Sequence, residues 1–265
     1  MKKNKIKDKR PPALKDQHMP KDFSIALKAY GGGGTTKSLN PKPKKLKYQS
    51  MKGFESQYKN IIDYIVRITY RIWEEKNIGY IYDTYSKDCR VWDEFGLQFG
   101  SEKIVSDTVH TNNAFPNIRL FADEVIWAGD EKNSFHTSHR TIITGKNTGY
   151  SKFSPPTGKS VRLLCIANCV AKNNEIYYEN VVYDTVTLIK QLGLNVNEIA
   201  KEIANQGNVG PFAPDFKNSK PKRIISKSNK MKVEIPNKIS NIRDFVEAVF
   251  NTIWNRRDFS AINKV

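Results

Sequence analysis

The stretch Ser160-Val-Arg-Leu-Leu-Cys-Ile-Ala-Asn-Cys-Val-Ala-Lys-Asn-Asn-Glu-Ile-Tyr-Tyr-Glu-Asn-Val-Val-Tyr-Asp184 decides the fold. Two long runs rich in Val, Ile, Leu and Tyr meet at Asn173-Asn174. Asn tolerates the left-handed backbone of a tight hairpin turn, so the runs read as antiparallel strands, 160–171 and 175–188. Two similar runs precede them, 118–128 ending at Gly129-Asp130 and 135–144 ending at Gly145. Together they predict a four-stranded antiparallel meander. Residues 90–100 add a strand, a turn at Gly96 and a short return strand.

Further upstream the apolar period lengthens from two to about 3.6. Ile61, Ile65, Ile68 and Ile72 recur at helical spacing with Trp73 beside them, one face of an amphipathic helix. Residues 78–85 read as a second short helix. A third runs from Glu102 to about Asn112, with Ser101 as its cap and Pro116 beyond its end. Residues 194–205 read as one more helix. Helices followed by a meander predict an α+β domain, with N-terminal helices packed on one face of a curved antiparallel sheet.

The charge is unevenly spread. The 265 residues hold 44 Lys and Arg against 27 Asp and Glu, net +17. Residues 1–50 contribute +11 and residues 211–265 contribute +7, while 51–210 are almost neutral at −1. The first segment is poor in apolar residues and carries Pro11-Pro12, Gly31 to Gly34 and Pro41-Lys-Pro43. It reads as a disordered basic tail. Its Gly31-Gly-Gly-Gly-Thr-Thr-Lys37-Ser38 approaches a phosphate-binding loop, but Thr36 stands where that loop needs Gly, and Pro41 follows closely. A linker is the better reading. No recognition fold accompanies the basic charge, so nucleic acid is not an expected partner.

No run approaches the ~18 apolar residues of a membrane span, and no apolar segment follows the Lys-rich start. A membrane protein and a secreted one are not expected. Cys89, Cys165 and Cys169 are spaced as reduced thiols of a cytoplasmic protein rather than a disulfide framework, and no CxxC pair points to zinc. The expected cofactor content is none.

The C-terminal segment repeats an earlier one. Asp63-Tyr-Ile-Val-Arg-Ile-Thr-Tyr-Arg-Ile-Trp73 lies on Asp244-Phe-Val-Glu-Ala-Val-Phe-Asn-Thr-Ile-Trp254 at an offset of 181 residues, and Ile78 to Ile81 fall on Phe259 to Ile262 at the same offset. The expected organisation is therefore a basic tail at 1–50, an α+β domain at 51–205, a linker at 206–238, and the opening helices of a truncated second copy at 239–265.

Residues 53–193 resemble the SnoaL-like polyketide cyclases (ester cyclases) of the nuclear transport factor 2-like superfamily. The resemblance is carried by Ile72-Trp73-Glu74, Val91-Trp-Asp-Glu-Phe-Gly96, Asp123-Glu-Val-Ile-Trp127 and Ser138-His-Arg140. It continues through Thr157-Gly-Lys-Ser-Val-Arg162 and the 176–184 strand leading to Gln191-Leu-Gly193. It implies a cone-shaped fold with a pocket between helices and concave sheet, and an acidic residue on a central strand that shuttles a proton during ring closure. The matching positions here are Ala167 and Asn168, and neither ionises. The proton would then travel through another group.

His139, Glu179 and Asp184 are the candidate catalytic residues; Asn168, Arg140, Trp127, Asp93 and Tyr178 are the candidate substrate-binding ones. Strand alternation puts His139 opposite Arg140, and Glu179 opposite Asp184. A carboxylate among aromatics has a raised pKa and can serve as an acid. A metal site finds only a thin set of ligands in His136, His139 and Asp184. The functions that emerge are cofactor-independent cyclase-type chemistry on a small apolar carbonyl compound, or a non-catalytic module of the same fold that binds a small molecule or forms a homodimer. An adaptor that docks a polyanion on the basic tail is a weaker third.

Overall fold

The computed structural model describes residues 11–12, 14–20, 22, 24–30, 35–40, 46–206, 235 and 241–265. They fall into two compact units, Met1–Pro214 and Asp215–Val265.

The first unit is built on six strands: β1 (Tyr85–Asp93), β2 (Gly96–Phe99), β3 (Arg119–Asp130), β4 (Ser134–Lys146), β5 (Ser160–Lys172) and β6 (Glu175–Tyr183). Their order in the sheet is β2-β1-β6-β5-β4-β3. The meander β3 to β6 is antiparallel throughout. Asn173 and Asn174 both take positive φ, 52° and 68°, which closes the β5–β6 hairpin as the sequence predicts. The expectation of a wholly antiparallel sheet does not hold, because β1 pairs β6 in parallel. After the β1–β2 hairpin, the chain enters the sheet at its far edge with β3 and works inward. Three hairpins then bring β6 beside β1 pointing the same way.

The α-helices of this unit among the described residues are α1 (Thr35–Leu39), α2 (Ile61–Trp73), α3 (Ile81–Thr84), α4 (Ser101–Ala114), α5 (Thr185–Gln191) and α6 (Val196–Gln206). Asn60 caps α2 by accepting from the Asp63 amide at 2.8 Å. The isoleucine stripe of α2 is buried against Ala122, Val125, Phe135, Cys169 and Ile176 of the sheet. Each such side chain contributes about 1.5–3 kcal/mol on burial. The cap of α4 is Gly100 rather than Ser101, which is the first helical residue. The chain turns there at φ 86°, in the left-handed region where a side chain is strained. The last strand ends at Tyr183, not at residue 188, because Asp184 caps α5 through the Thr187 amide at 3.1 Å.

Some of the described residues of 1–50 pack on the domain. Ile25, Leu27 and Tyr30 are buried in the same core as α2. The Trp127 indole N–H donates to the Ile25 carbonyl at 2.7 Å. Thr35 accepts from the Ala122 amide at 3.1 Å and donates to the Leu120 carbonyl. The Gly31–Gly34 run lies outside the described residues, but Thr35 and Lys37 stand on α1, where Thr35 bonds the sheet edge. The sparse apolar residues of this segment escape a periodicity search because they are spread over short turns, each fixed by long-range contacts.

In the second unit, α7 (Ile242–Val249) continues as a π-helical turn, Phe250–Asn255, and is followed by a 3-10 helix, Phe259–Lys264. Ile235, Ala248 and Ala261 form its small core, with Phe245, Val249 and Ile253 packed against them. Most of the expected linker, 206–238, and residues 239–240 lie outside the described residues.

Because Leu27 is only 3% exposed in the main core, Leu27→Ala is expected to cost about 2–5 kcal/mol, read as a fall in the urea midpoint. An unchanged midpoint would mean that this segment does not dock on the domain in solution.

Candidate functional site

Between α2, α4 and the concave face of the sheet lies a cavity of about 240 Å³. This lies just below the roughly 300–1,000 Å³ typical of ligand sites. Its walls are mainly apolar, with Ile65, Ile72 and Trp73 from α2, Ile104 from α4, and Val91 and Val181 from the sheet. The loop beyond β4 closes one side. Buried Asn147 pins that loop by accepting from the Thr157 amide at 2.8 Å and donating to the Gly149 and Ala114 carbonyls at 2.8 and 3.2 Å. Ser151, Lys152 and Phe153 of the loop reach the cavity rim.

Cross-strand register places the polar groups. One inward row runs Thr137, Cys169, Glu179, Val91 across β4, β5, β6 and β1. The neighbouring row runs Val125, His139, Ala167, Val181. Glu179 and His139 thus face the same cavity from adjacent rows. β6 also carries a bulge next to Glu179. Val170 pairs Tyr178 while Ala171 pairs Ile176, leaving Tyr177 as an extra residue. The slip lets Ile176 and Glu179 both line the cavity, although they are three residues apart.

Glu179 is 7% exposed. Tyr85 donates to its Oε2 at 3.1 Å, and the Cys169 thiol bonds it too. Burial raises its pKa to about 7, with both hydrogen bonds opposing the rise. Cys169 is itself pushed well above its ordinary range by burial and by the neighbouring Glu179, so it stays a thiol and serves as a donor. His139 is 3% exposed, and burial lowers its pKa to about 4, so the ring is neutral at pH 7. Its Nε2 has no hydrogen-bond partner among the described residues. A buried polar atom without a partner is costly, and a ligand oxygen in the cavity would satisfy it.

The other candidates are distributed differently. Asp93 lines the cavity rim but is engaged by the Phe95 amide at 2.8 Å and the Gln98 side chain at 3.2 Å. Asp184 does not reach the cavity. It is exposed at the start of α5, where the Thr187 bonds hold its carboxyl below the usual range. Asn168 faces the outer side of the sheet, because the inward phase of β5 is Cys165, Ala167, Cys169. Tyr178 is on that outer side too. Arg140 is exposed and pairs with Asp123 at 2.5 Å and Glu124 at 3.3 Å. Trp127 points inward but is spent in the core, bonded to Ile25. Tyr85 and Cys169 were missed as partners of Glu179. The inward phase of β5 was the available signal, but exposed Leu164 and Ile166 blur its alternation.

Among the described residues, no three His, Cys, Asp or Glu side chains converge as metal ligands, and no helix is long and apolar enough to cross a membrane.

The sequence matches no family model and no curated protein. The class that the sheet, helices and cavity define is an α+β fold with a small-molecule-sized pocket on the concave side of a six-stranded sheet. Solved structures to which this chain is similar include a candidate SnoaL-like polyketide cyclase from Jannaschia sp. CCS1, at 14% identity and TM-score 0.43, covering 50% of this chain and 93% of that one. IdmH, a candidate polyketide cyclase from Streptomyces antibioticus, is 16% identical at TM-score 0.43, covering 50% and 97%. A protein of ketosteroid isomerase-like fold from Catenulispora acidiphila DSM 44928, in complex with trimethylamine, is 18% identical at TM-score 0.41, covering 50% and 95%.

The two buried groups tilt stability in opposite directions. Glu179 has a folded pKa near 7 against an ordinary 4.5, so the folded state holds its proton more tightly and stability falls as pH rises across that window. His139 has a folded pKa near 4 against 6.5, so stability falls as pH drops through that window. Where the windows overlap, between about 4.5 and 6.5, the slopes cancel. Urea midpoints measured against pH are expected to rise with pH in Glu179→Gln and to fall with pH in His139→Gln, relative to wild type. Parallel profiles in all three proteins would refute the assignment.

Proposed function

We propose that the first unit is a cofactor-independent enzyme of the SnoaL-like polyketide cyclase type, moving a proton on a small apolar carbonyl compound in the cavity. The observation that carries this reading is Glu179: a carboxyl group titrating near pH 7, walled by apolar side chains and held by Tyr85. A group with that pKa is well matched to taking and returning a proton at neutral pH. Glu179 as carboxylate removes a proton α to a carbonyl. The resulting enolate carbon attacks a second carbonyl carbon of the same molecule, forming a C–C bond. The alkoxide oxygen left by that attack takes the proton back from Glu179. His139, neutral and with Nε2 unpaired, offers a hydrogen bond to the enolate oxygen without a charge of its own. Asp184, Asn168, Arg140 and Tyr178 have no part in this scheme, since they lie outside the cavity.

A binding module is the alternative, favoured by the uncharged Ala167 where the cyclase pattern has its acid. Turnover of linear and cyclic β-dicarbonyl compounds separates the two. Glu179→Gln is expected to lower kcat/KM by about 10²–10⁴-fold with the fold intact. The wild-type rate should climb as pH rises through about 7, and the variant should lose that limb. Tight binding with no turnover in either protein would favour the module. Equal turnover in both would rule out Glu179 as the proton carrier.

A further inference from the structure

The second unit repeats the opening of the first in detail that the sequence offset alone does not require. Asn60 caps α2 on the Asp63 amide, and Asn241, 181 positions on, caps α7 on the Asp244 amide at 3.3 Å. At the other end of the helix, the Glu75 amide bonds the Tyr70 carbonyl at 3.1 Å, and the Arg256 amide bonds the Asn251 carbonyl at 3.0 Å. The Asn77 amide bonds the Arg71 carbonyl, and the Asp258 amide bonds that of Thr252, both at 3.0 Å. The residues between them, Lys76 and Arg257, take the same left-handed conformation at φ 60° and 58°. A side chain avoids that region, so its recurrence in register is a specific match. A 3-10 turn follows in each, at Ile78 and at Phe259. Phe54 packs edge-on against Tyr64, and Ile235, at the counterpart of Phe54, sits in the small core against Phe245, at the counterpart of Tyr64.

One difference stands out. Ile65, Thr69, Trp73 and Ile81 line the cavity of the first unit beneath the sheet. Their counterparts Val246, Phe250, Trp254 and Ile262 are exposed, Trp254 by 68%. The side of α7 that matches the cavity-facing side of α2 therefore carries an exposed apolar stripe, while Val249 and Ile253, the counterparts of cavity-lining Ile68 and Ile72, pack into the small core.

We propose that residues 241–265 are a second copy of residues 60–84, and that the stripe Val246, Phe250, Trp254, Ile262 is the docking face for the concave side of a curved sheet like that of β1–β6. The occupant follows from the equivalence, since the same positions in the first unit are covered by such a sheet. Phe250 in place of Thr69 makes this face more apolar than its counterpart, so a sheet seated on it would enclose a smaller or drier cavity than the first.

The test uses the full chain with residues 85–193 of its own sequence appended after Val265, which continues the same offset. Hydrogen exchange is followed in peptides from 241–265, which occur once in the extended chain. The expected result is exchange at least about tenfold slower than in the unextended chain. The slowing should vanish in a Phe250→Asp, Trp254→Asp variant that leaves exchange in the first unit unchanged. Exchange that the appended strands do not slow, or that the variant does not restore, would overturn the proposal. So would concentration-dependent slowing in the unextended chain, which would assign the face to a second copy of the molecule.

Discussion

Everything in the first unit depends on one packing contact: the isoleucine face of α2 against the concave side of the sheet. It buries Ile61, Ile65, Ile68 and Ile72 and sets the distance at which helix and sheet stand apart. Towards Phe135 and Tyr64 the contact closes into a dense core, reinforced by the edge-on rings of Phe54 and Tyr58. Towards Trp73 and Ile104 it opens and leaves the cavity. The segment around Ile25 and Leu27 backs the closed end and keeps Trp127 from turning into the open one. Core and pocket are thus two ends of one interface, and the site owes its rigidity to the half without chemistry.

The apolar walls that make the cavity also make its chemistry. Removing water from around Glu179 disfavours its charge, and the same loss of water disfavours the charge of His139. An acid and a base treated alike by their surroundings are both pushed toward the neutral form, so that near pH 7 His139 is uncharged and Glu179 is about half protonated. Groups held toward their neutral forms cost less to bury than an ion pair would, which is consistent with their lying in adjacent rows of the sheet without a bond between them.

The strands were legible because their turns are marked by Asn173-Asn174, Gly96 and Gly129, and α2 because its isoleucines fall on one stripe. The side of the sheet taken by each polar residue was harder to see. His139 and Arg140 separate as strict alternation demands. Glu179 and Ile176 do not, because the extra residue Tyr177 breaks the period at a point no composition rule marks. Asn168 was placed by family pattern, whereas its true side is set by hydrogen-bonded register with Ser138 and Asn180 on the neighbouring strands. Parallel pairing of β1 with β6 was hidden for the same reason: it joins segments some 90 residues apart, and local pattern carries no information about such distances.

That seam has a consequence for how the site comes into being. The meander β3 to β6 closes through successive hairpins, while β1 and β2 form a hairpin of their own; the two blocks join only where β1 meets β6. Local pairings form before distant ones, so this junction belongs to the late part of assembly. Glu179 stands on β6 at the junction, next to Val91, and its bond from Tyr85 crosses it. A chain with the meander formed and the hairpin still free would carry Glu179 as an ordinary edge-strand carboxylate, charged and wet. Its unusual acidity is a property of the completed molecule, acquired when the two blocks meet and absent from any partly assembled form.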